Sequence, residues 1–108
     1  MTGFRIHPTA ARELDAAAAW YEAQERGLGA VFLEAYAIKL VQALERPRSG
    51  SPYHAAGRRV EIRKFGLRRF PYTIFVAIAD GDVTVVAVAH QRRRPGYWTK
   101  RLGRVLRS

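Results

Sequence analysis

The side chains that could do chemistry crowd into the second half of this chain. Histidine is the side-chain type best suited to moving a proton near neutral pH, and His90 is the candidate here. Around it in sequence stand Arg63, Lys64, Arg68, Arg69 and the run Arg92-Arg93-Arg94, followed by Tyr97 and Trp98. Guanidinium and ammonium groups stabilise negative charge at a phosphoryl or carboxylate group, a histidine exchanges a proton, and a phenol can donate one. The set therefore points to electrostatic work on an anion. Each member also has a plainer use. His90 suits a strand end where it bonds backbone, and Arg68 and Arg69 suit a solvated turn. Arg92-Arg93-Arg94 suits phosphate or carboxylate contact without sequence readout. Tyr97 and Trp98 suit packing or interface anchoring.

Other chemistries are excluded or disfavoured. There is no cysteine, so no disulfide, thiolate nucleophile or zinc–thiolate site can form. His7, His54 and His90 are far apart and show neither HxxxH nor HxH spacing, which argues against a metal centre. No GxxxxGK or convincing GxGxxG context marks a nucleotide site. No cofactor is expected.

The charge is segregated. Residues 1–57 hold six bases and six acids, while residues 58–108 hold thirteen bases and three acids, so the whole net charge of +10 lies in the second half. Such asymmetry fits an anionic partner, either nucleic acid or an acidic protein. The 108 residues suit a single domain spanning 1–108. No apolar run reaches the ~20 residues of a membrane span, and the start lacks a signal-peptide pattern. A soluble cytoplasmic protein with no membrane partner is the expectation.

The elements that must position these residues follow from periodicity. Gly3–His7 alternates apolar and polar residues as a short strand, broken by Pro8. A first helix is expected from Thr9, its candidate N-cap, to Gln24, with Ala10, Leu14, Ala17, Ala18 and Tyr21 on its apolar stripe. Trp20 and Tyr21 are assigned to core packing. A glycine turn leads to a second helix, Leu28–Glu45, whose stripe is Leu33, Ala37, Leu40, Val41 and Leu44 with Phe32 and Tyr36 beside it; Pro47 ends it. Residues 48–57 read as a loop. The period then changes to two over Arg58–Phe65, Phe70–Ala79 and Val83–Ala89, with a hairpin signal at Asp80-Gly81-Asp82. The last two runs fit central strands covered on both faces. Pro95–Leu106 is expected as a short basic helix carrying Tyr97, Trp98, Leu102 and Leu106. The expected fold is α+β, a helical hairpin on a mostly antiparallel four-stranded sheet in the order β-α-α-β-β-β.

This order and four stretches of sequence resemble the RelE/ParE toxin superfamily over nearly the whole chain. The stretches are FRIHPTAARELDAAAAWYEAQ, GLGAVFLEAYAIKLVQALERP, RRVEIRKFGLRRFPYTIFVAI and VTVVAVAHQRRRPGYWTKR. The resemblance implies the toxin of a type II toxin–antitoxin system, neutralised by a cognate antitoxin and held with it in a hetero-oligomer. It leaves two targets open. ParE-like members act on DNA gyrase. RelE-like members are ribosome-dependent endonucleases that cleave mRNA without a metal, through attack by the 2′-hydroxyl.

Cleavage of that kind needs a proton acceptor, cations for the charged phosphorane and a donor to the leaving oxygen. The resemblance makes Arg63, Lys64, Arg68, Arg69, Arg92, Tyr97 and His90 the candidates. RelE-like members carry an arginine on the strand where FPYTIF places Thr73, which supplies no positive charge. That departure, with Phe70-Pro71-Tyr72 and Tyr97-Trp98, favours the ParE-like reading. A plain nucleic-acid-binding module is a third alternative, although no helix-turn-helix, RRM or zinc pattern supports it. Arg63, Arg68, Arg69, Arg92, Arg93, Arg94 and Trp98 are the candidates for binding a target or antitoxin. An acidic, initially disordered antitoxin segment is expected to fold over the sheet and hairpin, masking Arg63, Arg68 and Arg92 at least in part.

Overall fold

Pro8 cannot extend the first strand, and its fixed φ suits the first turn of a helix. β1 (Phe4–Ile6) accordingly gives way at once to α1 (Pro8–Gln24). The N-cap is His7 and not Thr9: His7 Nδ1 accepts the Thr9 backbone N–H at 3.1 Å. α2 (Leu28–Glu45) follows across a turn in which Gly27 takes the left-handed conformation. Gly27 offers no side chain to cap α2. Glu22 of α1 does so instead, accepting the N–H groups of Gly27 and Gly29 at 2.9–3.1 Å. A Cβ on Gly29 would stand 2.7 Å from the carbonyl oxygen of Ala18, so glycine sets how closely the two helices meet.

The computed structural model describes residues 3–55 and 59–103. Arg58, expected in a strand, and Leu106, expected in the tail helix, lie outside them. After α2 come a 3-10 turn (Pro47–Ser49), β2 (Ser51–Tyr53), β3 (Glu61–Gly66), β4 (Tyr72–Ala79), β5 (Asp82–His90) and a second 3-10 turn (Thr99–Arg101). The sheet has five strands in the order β1-β5-β4-β3-β2, antiparallel except where β1 runs parallel to β5. The fold class is the expected one, with one strand more. The added strand is β2, whose three residues are too few to show an alternation in a stretch that reads as loop. Its Pro52 is tolerated because β2 lies at the sheet edge. Asp80 and Gly81, with φ of 52° and 80°, form the tight turn between β4 and β5 that their sequence signals.

Two apolar layers flank the sheet. The helical hairpin packs on one face through Ala10, Ala17, Phe32, Tyr36, Ala43, Phe65, Phe70, Ile74, Val83, Val85 and Val88. The other face is covered by the C-terminal segment, where Trp98 and Leu102 pack with Ala55, Ile62, Ala77, Val86 and Ala87. This explains why β5 is buried from Val83 to Ala89 without interruption. Within the described residues the segment forms a 3-10 turn at Thr99–Arg101 and is helical at Leu102 and Gly103; the part of the helix expected over Pro95–Leu106 that follows Gly103 lies outside the described residues.

Two expectations about helix faces are corrected. On α2 the buried residues are Gly29, Phe32, Tyr36 and Ala43, while Leu33 and Val41 of the expected stripe are exposed. The helix is apolar on most sides, so spacing fits more than one stripe. The face that buries two aromatic rings removes the larger area from water. On α1, Tyr21 packs against Phe32 and Phe70, but Trp20 is 58% exposed and is no part of the core.

Candidate functional site

The site grows from an irregularity in β5. Phe75 pairs with Ala87 and Val76 with Val85, which leaves Val86 as the extra residue of a β-bulge. A bulge bends a strand and re-aims the backbone groups that follow it. The short β1 covers the outer edge of β5 only from Val83 to Val85. Beyond that point side chains take over. Arg101 donates to the Val86 carbonyl at 2.9 Å, and the Val88 N–H donates to Glu13 at 3.0 Å.

Glu13 and Arg101 are themselves joined by two hydrogen bonds, at 2.9 and 3.0 Å, and the Tyr97 hydroxyl donates to Glu13 at 2.6 Å. Burial pushes the Glu13 carboxyl up, but bonds from Arg101, Tyr97 and the Val88 N–H outweigh it and hold its pKa below the ordinary value. Burial, and then the bond to the Glu13 carboxylate, push the Tyr97 phenol far above its own ordinary value. Tyr97 is therefore a neutral donor fixed in place. The Arg93 guanidinium lies 3.9 Å above its ring, a cation–π contact.

His90 ends β5. Its Nδ1 accepts the Arg92 backbone N–H at 3.0 Å, and its ring meets Tyr72 edge-on at 5.1 Å. Two clefts open on either side of it, both lined by His90, Arg93 and Tyr97. The smaller, about 210 Å³, also has Lys64, Thr73 and Arg94 in its wall. The larger, about 660 Å³, lies between α1 and the end of β5, with Ala16, Ala17, Trp20, Tyr21 and Tyr72 in its wall.

The structure thus gathers Lys64, His90, Arg93, Arg94 and Tyr97 around these clefts, with the Arg92 backbone bonded to His90 and its side chain exposed. Other candidates lie elsewhere. Arg68 and Arg69 border a separate cleft beside α2, with Glu34 and Lys39 also in its wall. Arg69 has φ of 72°, an uncommon conformation for a side-chain-bearing residue. Arg63, on the opposite face of β3 from Lys64, bonds Glu61 at 3.1 Å and the carbonyls of Arg48 and Gly50 at 3.2 and 3.1 Å. Glu61 also receives Arg48 at 2.8 and 2.9 Å, and these bonds depress its pKa, that from Arg48 most. Arg63 is thereby engaged in holding β2 and the turn before it. Trp98 is buried at 1% exposure, its ring 4.7 Å from Phe75 and 5.4 Å from Tyr53.

Sequence reasoning missed Glu13 and Arg101. A signal for Glu13 was present: it stands between Ala10 and Ala17 at helical spacing, an acid on an apolar stripe, and a buried acid requires a cation. Among the described residues no group of three or more His, Cys, Asp or Glu is placed to hold a metal ion, and no helix is long and apolar enough to cross a membrane.

Comparison with known proteins agrees with this architecture. A chain of the chromosomal ParDE toxin–antitoxin system from P. aeruginosa superposes with a TM-score of 0.61 at 19% identity, over 83% of this chain and 96% of that one. The isolated E. coli RelE toxin superposes with a TM-score of 0.58 at 22% identity, over 97% of this chain and 99% of that one. At such identities these likenesses establish the fold. No curated protein matches the sequence closely. The family model for the ParE toxin of the parDE type II toxin–antitoxin system matches residues 4–95, and the chain belongs to that family.

Proposed function

We propose that the protein arrests growth by binding and poisoning DNA gyrase, and that a cognate antitoxin with an acidic segment neutralises it in a toxin–antitoxin complex. Both would take place in the cytoplasm. The observation that carries the gyrase reading is the state of Tyr97. A metal-free RNA cleavage needs a proton donor to the leaving oxygen. Here the phenol already donates to Glu13 at 2.6 Å, and its pKa is driven up. Thr73, in the wall of the smaller cleft beside Lys64 and His90, adds no charge to that set. Arg63 is committed to Glu61 and to backbone carbonyls. The exposed Arg92, Arg93 and Arg94 remain as a cationic surface suited to gripping a protein target or its DNA.

The test is pulse expression in a bacterial host, following labelled thymidine and amino-acid incorporation over the first minutes. DNA synthesis falling first, with filamentation and a DNA-damage response, is the expected result. Protein synthesis falling first, with cuts in mRNA found by primer extension, would replace this reading with ribosome-dependent cleavage.

A further inference from the structure

The larger cleft, about 660 Å³ between α1 and the end of β5, has a composition that its place beside a cationic surface does not require. Its lining includes Ala16 and Ala17, whose small side chains leave space where larger ones would fill it. Tyr21 and Tyr72 supply half-buried aromatic walls. At its mouth Trp20 leaves 58% of its surface in water, although it is among the largest apolar side chains of the chain. A tryptophan beside an open apolar cleft is the residue type that most often anchors an interface, because covering it removes much apolar area from water.

The charges fit one kind of occupant. The acid in the lining is Glu13, whose charge is balanced by Arg101 and whose second oxygen also accepts the Tyr97 hydroxyl, so its repulsion of a second carboxylate is largely cancelled. The cation at the rim is Arg93, its guanidinium over the Tyr97 ring at 3.9 Å and carrying no ion pair among the described residues. His90 stands beside it.

We propose that this cleft receives one aromatic or large aliphatic side chain from an acidic peptide segment, with Trp20 closing over that anchor and Arg93 pairing with a carboxylate next to it. The inference rests on the antitoxin part of the function proposed above and names the place where its acidic segment is anchored. A nucleobase fits less well. Its polar edges would face Ala16, Ala17, Pro71 and Val88, and cations at one end only leave no track for successive phosphates.

Trp20 reports on the site. The sequence holds two tryptophans, and the other, Trp98, is buried at 1% exposure, so a change in the exposed component of the emission belongs to Trp20. The probe is a short capped peptide with one central phenylalanine flanked by aspartates and glutamates, and its control has serine at the centre. The expected result is a blue shift on titration, with affinity at least about tenfold above the control. Arg93→Ala and the cleft-filling Ala16→Leu should each weaken binding by about tenfold or more, and Trp20→Phe should remove the signal. Equal binding of the serine control, or binding indifferent to both substitutions, would overturn the proposal. So would a larger shift with a single-stranded oligonucleotide than with the peptide. Co-expression of the adjacent gene separates the two claims. Rescue of growth with a silent Trp20 overturns the cleft assignment alone, whereas no rescue and no shift overturn the antitoxin reading with it.

Discussion

The Tyr97 hydroxyl meets the Glu13 carboxylate at 2.6 Å across 84 residues of chain. With Arg101 it ties α1, the bulged edge of β5 and the C-terminal segment to one point. Removing the hydroxyl leaves the packing in place and deletes one hydrogen bond to a charged acceptor. Tyr97→Phe should cost about 1.5–3 kcal/mol in urea denaturation. On the proposed gyrase reading, the variant should still arrest growth when expressed. Glu13→Gln leaves Arg101 without its counter-charge in a half-buried place, and should cost more, about 2–4 kcal/mol.

The same network sets an acid limit. The folded-state pKa of Glu13 lies below its ordinary value of 4.5, so its stabilising contribution is complete above the unfolded pKa and is lost as pH falls through the folded one. Glu61 has the same sign, but with Arg48 largely exposed its part is screened by salt. Urea midpoints should therefore fall on the acid side of pH 4.5, and the fall should shrink in Glu13→Gln.

Tyr36 presents the opposite situation. It is buried at 6% exposure and its hydroxyl has no hydrogen-bond partner among the described residues. A buried polar atom without a partner costs free energy. Tyr36→Phe should raise stability by about 1 kcal/mol, measured as a higher urea midpoint at unchanged slope.

The arginines should divide by what they touch. Arg63→Ala removes bonds to Glu61 and to two carbonyls, and should cost about 1–2 kcal/mol of stability. Arg92→Ala and Arg94→Ala, at exposed positions, should change stability by less than about 0.5 kcal/mol and yet reduce growth inhibition. Expression titration beside urea denaturation of the same variants separates the two groups. A uniform loss of stability across all three would contradict the division.

The sequence made the α+β class, both helices, the three long strands and the Asp80-Gly81 turn legible, because each carries a period or a turn signal of its own. The smaller features depend on contacts that spacing does not encode. β2 has three residues and a proline. The α2 face was ambiguous because the helix is apolar on most sides, and aromatic packing chose Phe32 and Tyr36. Trp20 was assigned inward by residue type, although it faces the solvent beside the cleft. Of the site, the cluster around His90 and Arg92 was legible from composition and order. The division of labour was not, since Arg63 and Arg101 are equally basic in sequence and differ from Arg92 only in having Glu61 and Glu13 within reach.

The most direct test of the central claim uses the purified chain with purified DNA gyrase and relaxed plasmid DNA. The account predicts that ATP-dependent supercoiling stops and that cleaved DNA held by gyrase accumulates as the protein is added. Undiminished supercoiling at excess protein, together with mRNA cleavage in a reconstituted translation reaction, would contradict it.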